Sequence, residues 1–119
     1  MVKFYILEAF VENSNLTQNQ WNKILPSLAN ETEINLTNRT DIKYLPDNLK
    51  CEKSLILIGT NIKKLPKNLQ ITEALFLNDI ISELPEDLYA RIIYVSKKRI
   101  NYFIEKYKNN RFIQIKEYF

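Results

Sequence analysis

The sequence of 119 residues predicts an α/β solenoid, a stack of short coils that each give one strand to a parallel sheet. Three observations carry this. The phrase I-x-x-L-P-x-x-L occurs as Ile42, Leu45, Pro46, Leu49, as Ile62, Leu65, Pro66, Leu69 and as Ile81, Leu84, Pro85, Leu88. The prolines stand at 26, 46, 66 and 85, spaced by 20, 20 and 19 residues. Between the phrases lie short apolar alternations, Leu55-Ile56-Leu57 and Leu75-Phe76-Leu77. A period near 20 residues that joins a strand to a proline turn marks coils that bury a shared core by stacking.

These residues resemble the leucine-rich repeat family, in particular its shortest class, with L-x-L strands and an L-P turn. The resemblance covers residues 21–96. It implies a curved solenoid whose parallel sheet lines an inner face used for protein binding, and it implies no chemistry. Family repeats usually carry Asn three residues after the second strand Leu, where its side chain bonds backbone along the stack. Thr60 holds that place after Leu57, and Thr40 is its counterpart after Leu36, with one residue inserted.

Residues 2–7 alternate and are rich in β-branched and aromatic types, so they read as a strand. Thr17 is the N-cap of a short helix in which Trp21, Ile24, Leu25 and Leu28 share one face, and Pro26 ends or bends it. Residues 1–31 thus form an atypical first coil, the N-terminal cap of a single domain. Ile34-Asn35-Leu36, Leu55-Ile56-Leu57, Leu75-Phe76-Leu77 and Ile93-Tyr94-Val95 read as successive strands within repeats spanning 32–96. The L-P-x-x-L phrases form the return arms, where proline favours a tight turn over a helix. Residues 97–119 form a C-terminal cap. Ile100, Phe103, Ile104 and Tyr107 give a helical apolar stripe there, and residues 112–115 a last strand.

Composition narrows the function. The 45% hydrophobic and 26% charged fractions are those of a folded domain, not a disordered tail. One glycine, Gly59, is too few for a phosphate-cradling loop. With no His and the single Cys51, the usual zinc and iron ligand sets and an intrachain disulfide are out of reach, so no metal or cofactor is expected. Nucleophilic catalysis lacks its usual base. The serines and the Glu86-Asp87 pair read as turn and flank residues, so the chain is expected not to be an enzyme. No run approaches the roughly 20 apolar residues of a membrane helix, and the N-terminal apolar run is too short for a secretory signal. The expectation is a cytoplasmic protein. Abundant Asn, Ile, Lys, Tyr and Phe suggest an AT-rich genome such as that of a low-GC bacterium or its phage.

Two surfaces compete for the functional role. On an in-out-in strand, Asn35, Ile56, Phe76 and Tyr94 point away from the core onto the inner face, and Thr37, Ile58, Asn78 and Ser96 make a parallel row. Three large apolar side chains in register expose a few hundred Å², a size that monomers seldom leave without purpose. The expected occupant is a protein partner of unknown identity, a host or defence protein if the chain is a phage or bacterial inhibitor. The alternatives are a second copy, giving a homodimer, or the chain itself. The second surface is electrostatic. Lys43, Lys63 and Lys64 recur near one edge and Lys97, Lys98 and Arg99 begin the C-terminal helix, as a nucleic-acid-binding module would have them. The interspersed Asp41, Asp47 and Glu52 make nucleic acid the lesser reading.

Overall fold

The structure, a computed structural model, describes residues 16–28 and 33–118; the strand expected at residues 2–7 lies outside them. Helix α1 (Gln18–Leu28) starts where Thr17 and Gln20 bond reciprocally. Thr17 Oγ1 accepts from the Gln20 amide at 3.2 Å, and Gln20 Oε1 accepts from the Thr17 amide at 2.8 Å. This capping box satisfies two backbone donors that the helix start leaves open. Trp21 and Leu25, one turn apart, are both buried, as the apolar spacing requires. The helix runs on through Pro26 and ends at Leu28 instead of stopping at the proline.

Six short strands follow among the described residues: β1 (Ile34–Asn35), β2 (Lys50–Cys51), β3 (Leu55–Ile56), β4 (Gln70–Phe76), β5 (Tyr89–Val95) and β6 (Ile115–Glu117). All pairings are parallel, in the order β1-β3-β4-β5-β6, with β2 also on β4. The chain is therefore a parallel-sheet solenoid-like stack of about four turns, accompanied among the described residues by two helices. The register joins Ile34 to Leu55, Leu55 to Leu75 and Leu75 to Ile93, as the repeat spacing predicts. Leu55, Leu57, Leu75 and Leu77 are fully buried in one core with Ile42, Ile62 and Ile81 from the return arms.

The sequence reading missed a second rung. It gave no strand between Leu49 and Leu55, whereas Lys50 and Cys51 pair with Gln70 and Ile71, which pair in turn with Tyr89 and Ala90. In one coil the two strand pieces, β2 and β3, stand on either side of a bend at Glu52 and Lys53, and in β4 they are joined in a single strand. β5 has one residue fewer between the two rungs than β4, which is why a register shift separates Ile71 and Ala74 on β4. Losing a residue there, and another in the turn between Leu77 and Ile81, shortens the last coil step from 20 to 18 residues. Burial pushes the Cys51 thiol up to about 12, and the residue is 1% exposed. Since the thiolate is the reactive form, Cys51 should resist a disulfide reagent near pH 8 until the protein unfolds. Rapid labelling of folded protein would contradict its place in the core.

Asparagines do work at the turns that the proline phrase only marks. Asn48 and Asn68 take positive φ, 64° and 55°, a conformation Asn tolerates better than most residues. The Asn68 side chain donates to Asn48 Oδ1 at 3.1 Å, and the Asn68 amide donates to Asp87 at 2.8 Å. The Lys67 amide donates to Asp47 at 3.0 Å, so a polar ladder ties coil to coil along this edge. Gly59 is in the left-handed region at φ 77°. A Cβ there would run into the Asn38 side-chain oxygen of the preceding coil.

At the C-terminal end, helix α2 (Ile100–Lys106) buries Phe103 and packs Ile100 and Tyr107 partly against the core. Ile104 does not join that stripe and is 49% exposed. The last strand comes later than its apolar pattern suggested: Ile115–Glu117 pairs with β5, and Phe112 stands 95% exposed in the turn before it.

Candidate functional site: the inner sheet face

The register sets Asn35, Ile56, Phe76, Tyr94 and Lys116 side by side across five strands. Because the flanking Leu, Ile and Val side chains enter the core, these five point the other way. Asn35 is exposed, while Ile56, Phe76 and Tyr94 are half-buried. Phe76 and Tyr94 stack, with ring centroids 4.6 Å apart and planes 12° from parallel. Tyr118 leans on Phe76 at 6.3 Å. The row is therefore partly covered by the chain's own rings. A stacked pair is worth about 0.5–1.5 kcal/mol beyond the area it buries, so Phe76→Ser should cost at least about 1 kcal/mol of stability in a urea titration. A cost within about 0.5 kcal/mol, the range of a freely exposed residue, would contradict the stack.

The second row departs from its expected membership. Thr37 is exposed and Ile58 half-buried, beside Ile56. Asn35 Oδ1 accepts from the Thr37 amide and hydroxyl, which fixes both polar side chains at the N-terminal end of the face. Ser96 is half-buried and donates to Asp79 at 2.7 Å. Asn78, expected on this rim, is 2% exposed. Its Nδ2 donates to Ile62 O at 2.8 Å and to Thr60 Oγ1 at 3.1 Å, and its Oδ1 accepts from the Ile80 and Ile81 amides. With one residue fewer in this turn, the chain swings Asn78 inward, where it satisfies backbone that two coils leave open. It offers nothing to a partner. Thr40 is exposed and is not the counterpart of Thr60. The Arg39 amide donates to Leu36 O as the Thr60 amide does to Leu57 O, so the equivalent place is Arg39 and the inserted residue falls after it.

Tyr118 and Lys116 belong to this face and were missed, since the C-terminal segment lies outside the repeat period. Burial, and then the charge of Asp79, raise the Tyr118 hydroxyl above its ordinary value, against a hydrogen bond with Ser96. Tyr118 therefore stays neutral in the physiological range. The face runs from a polar Asn35–Thr37 end, through Ile56, Ile58, Phe76 and Tyr94, to a cationic Lys116. Among the described residues no group of three or more Cys, Asp or Glu is placed to hold a metal ion. No helix of the described residues is long and apolar enough to cross a membrane.

The basic edge is less continuous than its lysines suggest. Lys43, Lys63 and Lys64 are exposed, but the constant spacing of the return arms puts Ser82 and Glu83 where the next pair would fall. Lys97 is exposed, and Lys98 faces Asp79 at 3.6 Å. Arg99 is spent inside the molecule. Its guanidinium donates to Asp79 O at 3.0 Å and Ile81 O at 3.2 Å and lies over the Tyr102 and Phe103 rings. It fastens α2 to the stack. Comparison with protein-family models, with curated proteins and with solved structures finds no match.

Proposed function

We propose that the chain is a small leucine-rich-repeat-like interaction module, with no enzymatic activity, that binds a protein partner through the inner face of its sheet. Residues 1–31 and 97–119 close the two ends of its coil stack in this reading. The supporting observation is the half-exposed apolar row Ile56, Phe76 and Tyr94, flanked by Ile58 and bounded by polar groups at both ends. Binding energy concentrates where aromatic anchors sit inside a polar rim. The Phe76–Tyr94 stack adds to this by holding both rings in one geometry before a partner arrives, which lowers the ordering cost of association.

Sedimentation velocity at micromolar concentration tests whose surface fills the face. The isolated chain of 14.2 kDa should sediment as a monomer, leaving the row free for a different protein. A dimer that Ile58→Glu dissociates would assign the face to a second copy instead. The AT-rich composition makes a protein of a bacterial host the partner to test first, with inhibition of a host or defence protein as the corresponding role.

A further inference from the structure

Charge is divided unevenly along the chain. Residues 97–119 carry seven Lys or Arg against two Glu, whereas residues 1–96 carry ten against twelve, so the C-terminal unit is at +5 and the rest at −2. Such asymmetry points to a polyanionic partner for the basic part. Within this unit an open cleft of about 540 Å³ is lined by Lys106, Tyr107, Asn109, Asn110, Arg111 and Phe112. Two cations, two amides and two rings line it, with no acidic side chain among them. The Asn110 side chain accepts from the Phe112 amide at 2.9 Å, a local turn that presents the Phe112 ring outward. That ring is 95% exposed. Lys106 reaches Tyr102 Oη at 3.1 Å, Ser82 O at 3.3 Å and the Glu83 carboxylate at 3.7 Å, and Lys108 pairs with Glu105 at 2.8 Å, whereas Arg111 stands exposed beside the ring.

We propose that this C-terminal turn binds single-stranded nucleic acid, with a base stacked on Phe112 and the adjoining phosphate held by Arg111. A hydrophobic protein pocket would suit the ring but would bury the cations and amides on either side of it without partners. An unpaired base offers a flat face to the ring, edges to the Asn109 and Asn110 amides, and a phosphate to Arg111, which is how sequence-tolerant single-strand sites are built. Stacking also explains why the ring stands clear of its own chain. This site is separate from the inner sheet face and from the lysine row of the return arms.

The test is fluorescence anisotropy of a labelled oligothymidine of about 15 nucleotides, titrated with the full chain at about 50 mM salt. Binding is expected, weakening steeply as salt rises. Phe112→Ala should weaken it by roughly fivefold to a hundredfold, and Arg111→Glu should weaken it while lowering the salt slope by roughly one. Phe112 is exposed, so its variant keeps the wild-type circular dichroism and the loss is one of binding. The proposal is overturned by no binding at low salt, by equal affinity of Phe112→Ala, or by a preference for duplex of the same length. Capture by anionic phosphatidylserine vesicles without capture of the oligonucleotide would assign the turn to a membrane surface and equally overturn it.

Discussion

Asn78→Asp should destabilise the protein by about 3–5 kcal/mol, the usual cost of leaving a buried charge without its partner. The substitution is nearly isosteric, so packing changes little. It turns the donor that faces Ile62 O and Thr60 into an acceptor, so that oxygens confront one another inside the stack. A carboxylate at a site 2% exposed also has no cation among these contacts to offset its desolvation. Asn78→Ala should cost somewhat less, about 2–3 kcal/mol, because it leaves amides and carbonyls unpaired without adding charge. Urea denaturation of the three proteins gives the order directly. A loss below about 1 kcal/mol for Asn78→Asp would mean that the side chain reaches solvent.

Asp41→Ala should release helix α1 from the stack at a cost of about 1–3 kcal/mol, the cost of leaving the donors around a half-buried carboxylate unpaired. One oxygen, Oδ2, accepts from the Leu16 amide at 2.7 Å, from Trp21 Nε1 at 3.2 Å and from the Arg39 guanidinium at 2.7 Å. Burial works to raise the carboxyl, but the bonds from Leu16 and Arg39 outweigh it and hold Asp41 below its ordinary value. The sign follows from linkage. A carboxylate depressed in the folded state stabilises fully above its unfolded value of about 3.9, and that contribution disappears as pH falls through the lower folded value. Wild-type stability should therefore fall with acidification below about pH 4, and Asp41→Ala should show a shallower fall. Trp21, the only tryptophan in the chain, is 1% exposed. Its emission should shift to the red in Asp41→Ala at neutral pH. Unchanged emission and an unchanged acid profile would show that Asp41 does not hold the helix.

What the sequence made legible was the part governed by periodicity. Leu55, Leu75 and Ile93 stand at the same point of successive coils, so burying one apolar stripe sets the register of all three strands. The Asn78 error arose where the period fails. A turn shortened by one residue flips a side chain from one surface to the other, and residue spacing alone does not show which residue was lost. Asp41 was equally hidden. It read as a charge diluting a basic edge, because nothing local says that Leu16, Trp21 and Arg39 converge on it from three directions. The last strand was expected at residues 112–115, three residues early, because α2 intervenes and resets the phase, and so Lys116 and Tyr118 on the inner face were missed. Phe112, assigned to that strand, proved the most exposed of the large apolar side chains among the described residues.

The inner-face reading is tested most directly by comparing what three immobilised forms of the protein retain from a bacterial lysate. The forms are the wild type, Ile56→Asp on the inner face, and Tyr89→Asp, whose parent side chain is 58% exposed on the other strand rung. Circular dichroism and urea titration first establish that each variant is folded. The account predicts at least one protein held by the wild type and by Tyr89→Asp but lost from Ile56→Asp, since a charge buried at an interface core costs several kcal/mol of affinity. A folded Ile56→Asp that retains the same proteins as the wild type would contradict it.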